Sequence, residues 1–256
     1  QSGSVTMAEM AGESETTEKE SRRFDDPVVR LADHIEEIGL QPSGVSEEYR
    51  YASLPLCVID AVFSIGVRYS STQATVARFC RKTGWPRFAM SREARDAGSH
   101  SLSDLLTLYD GLDTEAAVEV LFGNRQRTST TSGILKAEAV RLFAGALVQC
   151  GVDTFADITS DRLALAEAII LGLPGQGSGI AFDYFRMLAG DDELIKPDRM
   201  IQRFVAFALG AEKEPELRQA AVLLRLAAWE LNRRGQDWTP LKLDYSIWKY
   251  QRERRT

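Results

Sequence analysis

The chain has 256 residues and is 44% apolar, enough for one large core or two smaller ones. Its three cysteines and two histidines exclude a four-cysteine zinc or iron–sulfur site, and they argue against a histidine metal centre or triad. The net charge of −6 decides little. Glu9, Glu13, Glu15, Glu18, Glu20, Asp25 and Asp26 outweigh Lys19, Arg22 and Arg23 near the start and leave the rest close to neutral. What governs phosphate binding is where cations cluster.

Taken in chain order, "QSGSVT" before Met7 reads as a cloning scar, and the acidic, Ser/Thr-rich run up to Asp26 reads as a disordered tail. No apolar run reaches bilayer length and no signal-peptide pattern is present, so a soluble, cytoplasmic, monomeric protein is expected. Cys57, Cys80 and Cys150 sit in apolar helical patterns and read as buried thiols. His34 and His100 read as surface or helix-terminus residues.

The periodic segments repeat at helical spacing. "IDAVFSIGV" aligns Ile59, Val62, Phe63, Gly66 and Val67, and "LKAEAVRLFAGALVQC" aligns Leu135, Ala139, Leu142, Phe143, Ala146 and Cys150. "MIQRFVAFAL" and "ELRQAAVLLRLAAWEL" do the same. Ser101 with Asp104 and Thr154 with Asp157 fit capping boxes. With no alternating run bounded by hairpin turns, the expected fold is all-α, about ten to twelve helices on short loops. Trp229, Trp238, Tyr245, Trp248 and Tyr250 read as core rather than pocket. The loop "GNRQRTSTTSG" carries Arg125 and Arg127; it is either an ordinary solvated loop or a phosphate contact. The basic end "KYQRERRT" reads as a solvated helix terminus.

The densest signal is "LGLPGQGSGIAFDYF". A helical pattern ends near Ile170, four glycines and a proline follow, and a second begins near Ser178. Pro174 fixes one φ, while Gly175 and Gly177 permit positive φ and close backbone approach. The first amides of the second helix lack intrahelical partners, and a phosphate is a suitable acceptor. Asp198 in "KPDRMIQRF" reads as an N-cap, a role that is compatible with holding a carboxylate in one orientation for chemistry.

"LPGQGSGIA" resembles the hairpin of the helix-hairpin-helix DNA glycosylase superfamily, and Asp198 lies nineteen residues past Gly179, where that family places an aspartate. The segments "LCVIDAVFSIGVRYSSTQATVARFC" and "ILKAEAVRLFAGALVQCG" are similar to the family's first barrel helix and to the helix leading towards the hairpin. The resemblance covers roughly Leu54 to Leu209.

It implies a two-lobed fold: a helical barrel over 56–190, and a second lobe from 27–55 with 191–256. A cleft would lie between them, with Asp198 at its mouth. It implies double-stranded DNA as partner and base extrusion into a pocket. Gly175, Gly177, Ser178 and Gly179 would grip the backbone, and Asp198 would stabilise a cationic sugar and orient water. The family's duplex-entering loop corresponds to the region of Arg68, Tyr69 and Gln73. Two departures, Gly179 at the position of the family's lyase lysine and no cysteine cluster, imply a monofunctional glycosylase without metal or redox cofactor, or a homologue that only binds DNA.

Overall fold

The computed structural model describes residues 26–44, 51–91, 94–95 and 100–254; the expected tail lies outside them except for its last residue, Asp26, which caps the first helix and accepts from the Val28 amide. Among the described residues every regular element is helical, and only isolated bridges, Tyr51 with Phe88 and Arg127 with Leu135, pair extended backbone. The chain divides into two compact units, 45–196 and a discontinuous one of 1–44 with 197–256.

The contiguous unit is built round α2 (Leu54–Phe63), in which all ten residues are buried. A single buried face is what the spacing predicts, but the helix is buried on every side, Asp60 included, and sits in the middle of its unit. Its expected stripe also stops short: Gly66 and Val67 lie past the helix end, in a turn where Gly66 has φ +73°. Packed on α2 are α3 (Tyr69–Thr83), α4 (Leu102–Thr107), α6 (Lys136–Gln149) and α8 (Ile180–Ala189). Between α4 and α6 comes α5 (Thr114–Ala117), which runs into a π-helical turn at Val118–Phe122. The turn is closed by Arg78 of α3, whose Nη1 donates to the carbonyls of Phe122 at 2.7 Å and Gly123 at 2.9 Å. Both expected capping boxes are present, at Ser101 for α4 and at Thr154 for the 3₁₀ turn Phe155–Asp157. α7 (Ser160–Ile170) then packs on α6 and leads into the hairpin.

A buried polar knot ties the segment before α2 to the last turns of that helix. The Asp60 carboxylate, fully buried, accepts from the Tyr51 hydroxyl at 2.6 Å and from Ser64 Oγ at 2.7 Å. Burial first, and the Asp60 charge second, push the Tyr51 phenol well above its ordinary range. Cys57 and Cys80 are buried as expected, whereas Cys150 is half-exposed at the end of α6.

The discontinuous unit joins α1 (Pro27–Glu37) to α9 (Arg199–Leu209), α10 (Leu217–Arg233) and α11 (Pro240–Glu253). α1 lays Leu31, Ala32 and Ile35 against α10 and α9, and α11 also packs on both. At the end of α10, Arg234 reaches Asp33 at 2.7 Å and Glu36 at 2.6 Å on α1, and Glu230 at 3.1 Å. The aromatic residues of this unit split. Trp238 is core, while Tyr245 and Trp248 are half-buried and stacked on each other. Trp229 is 47% exposed, contrary to the core expectation. It lies one residue, a rotation of about 100°, past the buried Ala228, and so faces outward.

Candidate nucleic-acid interface

The sequence "LPGQGSG" folds as two successive turns. Gln176 N–H donates to the Leu173 carbonyl at 3.1 Å, with Pro174 and positive-φ Gly175 (+77°) at the centre, the chemistry of a type II turn. Gly179 N–H then donates to the Gln176 carbonyl at 2.9 Å, and Gly179, at φ +70°, is the N-cap of α8. The helix thus begins at Ile180, slightly later than the glycine spacing predicts. Among the described residues, the amides of Gly175, Gly177 and Ser178 have no hydrogen-bond acceptor, and all three residues are exposed. They are donors at the positive end of a ten-residue helix dipole, an arrangement suited to a phosphate. Gly179 itself is buried and serves the turn.

The structure brings the three expected DNA-contacting segments of this unit together. The polar loop 124–135 crosses between the other two: Gln126 Nε2 donates to Ser71 Oγ at 3.1 Å, and Asn124 Nδ2 to Thr75 Oγ1 at 2.8 Å, both on α3. Thr128 lies against the hairpin, where a Cβ added to Gly175 would fall 2.4 Å from Thr128 Cβ. Among the described residues, four side-chain atoms in this cluster are buried without a hydrogen-bond partner: Thr72 Oγ1, Gln126 Oε1, Thr128 Oγ1 and Gln176 Oε1. Unpaired buried polar groups are costly and tend to gather where a bound group completes them.

The charged candidates differ in availability. Arg68, at the N-cap of α3, is exposed. Tyr69 is half-buried, with Lys196 Nζ 5.3 Å from its ring and 3.8 Å from that of Tyr184. Gln73 is half-buried on α3. Arg127 is exposed and donates to the Gly133 carbonyl at 2.8 Å. Arg125 is committed to Glu115, and to Glu119 at 3.2 Å. Those are exposed pairs that contribute little stability and exchange readily for a phosphate.

Two residues that carry this surface are invisible to motif reading. Thr128 is one. The other is Lys136, fully buried, whose Nζ donates to the carbonyls of Phe63 at 3.0 Å and Ile65 at 2.7 Å. It closes the C-terminal end of α2 and fixes the turn that delivers Arg68 and Tyr69. Burial lowers its amine from 10.5 to about 8.

Asp198 belongs to the other unit. It is the N-cap of α9, and its Oδ1 accepts from the amides of Met200 at 2.8 Å and Ile201 at 3.0 Å. One oxygen therefore fixes the carboxylate while the side chain stays half-exposed. Burial pushes the Cys57 thiol up to about 12 and that of Cys80 up to about 11, so neither is a nucleophile at neutral pH.

The contact between Gly175 and Thr128 gives a direct test. Gly175→Ala is expected to lose about 1–2 kcal/mol from its backbone conformation alone, with the clash against Thr128 added. Thr128→Gly removes the clash but not the φ penalty. The double variant should be less destabilised than the sum of the singles by about 1 kcal/mol in urea unfolding; simple additivity would mean that the loop does not bear on the hairpin.

Among the described residues no cluster of three His, Cys, Asp or Glu side chains could hold a metal ion, and no helix is long and apolar enough to cross a membrane. The chain belongs to the family described as Domain of unknown function (DUF8548), whose model matches residues 29–252. Comparison with curated proteins and with solved structures returned no match.

Proposed function

We propose that this protein is a monofunctional DNA N-glycosylase, which extrudes a damaged or modified base from a duplex and releases it by hydrolysis, leaving an abasic site. The observation that carries this reading is the hairpin: three exposed amides without acceptors stand at the start of α8, joined through Thr128 and Gln126 to the start of α3. Such a surface grips a phosphodiester backbone without reading sequence. Cleavage of the N-glycosidic bond builds positive charge on the sugar. Asp198 then stabilises that charge and orients the attacking water.

A second reading, a DNA-binding module without catalysis, is favoured by one fact: both hydrogen bonds of Asp198 are those of an ordinary helix cap. Assaying base release from a panel of modified duplexes, in parallel with duplex binding over a salt series, separates the two. Release from at least one duplex supports the enzyme. Salt-dependent binding with release from none leaves the module, and no salt-dependent binding removes both.

The absence of lyase chemistry is also testable. Gly179 carries no amine, and Lys196 holds its ammonium against the faces of Tyr69 and Tyr184. Borohydride treatment during turnover is expected to trap no covalent protein–DNA adduct. An adduct lost in Lys196→Met would assign the lyase role to that residue instead.

A further inference from the structure

The discontinuous unit carries a groove that the glycosylase reading does not use. It has a volume of about 260 Å³ and lies where α1, α9 and α11 meet. Phe204, Phe207, Tyr250 and His34 supply ring walls, and Arg203 and Arg254 stand on its rim. The His34 ring, in the last turn of α1 as one of its two sequence readings has it, lies 5.7 Å from those of both Phe204 and Phe207 and is half-buried. Phe207 is 72% exposed, a large apolar face left to water on an otherwise well-packed helix. The Arg254 guanidinium lies 5.2 Å from the Tyr250 ring centroid and also donates to its hydroxyl. Gln251, whose Nε2 donates to the Met200 carbonyl at 3.1 Å, also lines the groove.

Charge separates the possible occupants. Arg199, Arg203 and Phe207 recur every fourth residue along the exposed side of α9, and Lys249 and Arg252 on α11 with its C-cap Arg254 follow, interrupted by the exposed Glu253. Opposing them is Glu37, 81% exposed, 3.9 Å from His34 Nδ1. An apolar peptide would cover the rim guanidiniums without offering them an anionic partner, and the walls are rings rather than aliphatic chains. Rings and guanidiniums in alternation suit a flat aromatic group carried on an anionic backbone.

We propose that this groove takes an unpaired nucleobase of a bound nucleic acid, stacked on Phe207, with the flanking phosphates on Arg203 and Arg254. The proposal deepens the DNA reading given above and partly rests on it. Phe207 lies nine residues along α9 from Asp198. That is about 14 Å at helical rise, or roughly four nucleotide steps at duplex spacing. The preferred substrate is therefore a duplex with a single-stranded stretch a few nucleotides from the target base.

The test measures equilibrium binding of a labelled oligo(dT), a blunt duplex and a labelled polyglutamate to the full chain, its Phe207→Ala variant and its Arg203→Gln/Arg254→Gln variant. All three positions are exposed, so folding is retained. Phe207→Ala is expected to weaken oligo(dT) binding about 10-fold and to leave the blunt duplex unchanged. The arginine pair is expected to lower the oligo(dT) salt slope by roughly one to two. Oligo(dT) that fails to bind, or binds Phe207→Ala equally well, overturns the groove even when the duplex binds. So does polyglutamate binding as tightly as oligo(dT). Phe207-dependent oligo(dT) binding without duplex binding upholds the groove and sinks the hairpin reading instead.

Discussion

Asp198→Asn is expected to reduce base release by about 10²- to 10⁴-fold while the melting temperature stays within a degree or so of wild type. The reasoning uses the cap. Asn caps a helix as well as Asp does, so its side-chain oxygen keeps the bonds to Met200 and Ile201, and α9 starts where it did. What disappears is the negative charge, the one property that chemistry at a cationic sugar needs and that a cap does not. Asp198→Ala serves as the counterpart, expected to lose about 1 kcal/mol of stability along with activity. Thermal melts and single-turnover release on the same samples decide the matter. If Asp198→Asn releases base at the wild-type rate, Asp198 is a cap and nothing more.

Lys136→Met should lower stability by an amount that grows with pH. At neutral pH the substitution removes charge-assisted bonds to two carbonyls at the end of α2, each contributing about 1.5–3 kcal/mol. It also removes the penalty of burying an ammonium, about 3 kcal/mol for a shift from 10.5 to about 8. The difference leaves a loss of roughly 1 kcal/mol. The pH dependence follows from the lowered folded-state value. Below about 8 the amine is charged whether the chain is folded or not, whereas between about 8 and 10.5 the unfolded chain holds the extra proton. This residue's contribution therefore rises across that window and is complete above 10.5. Cys57, raised to about 12, and Tyr51, raised by burial, act in the opposite direction in both proteins, so they cancel in the comparison. The gap between wild type and Lys136→Met in urea midpoints should widen from pH 7 to pH 10 by up to about 3 kcal/mol. A gap that narrows would mean that the amine is held charged by the two carbonyls more strongly than burial opposes it.

What could be read from the sequence was what neighbouring residues decide. The Pro174–Gly175 turn, the cap at Asp198 and both capping boxes depend on residues within a few positions of each other, and all are present in the structure. The helical class followed in the same way from apolar spacing. What escaped depends on contacts between distant segments. That α2 is enclosed on every side cannot be read from one face of one helix. Nor do Thr128 and Gly175, nearly fifty residues apart, carry any mark of their contact. Trp229 was misjudged because a large aromatic residue counts as core by type, although its neighbour Ala228 takes the inward position. The arginines of "GNRQRTSTTSG" looked alike in sequence, yet Arg125 has two carboxylate partners and Arg127 a backbone carbonyl.

One feature of the architecture bears on how the protein is made. The contiguous unit, 45–196, has all its partners once its last helix leaves the ribosome. α1 emerges earlier, but the helices that cover Leu31, Ala32 and Ile35 are encoded some 160 to 200 residues downstream. At ordinary elongation rates of about 5–20 residues per second, that oily stripe stays uncovered for roughly ten to forty seconds in every round of synthesis. Nascent chains stalled before α10 should therefore recruit holdase chaperones through α1, and chains released after α11 should not.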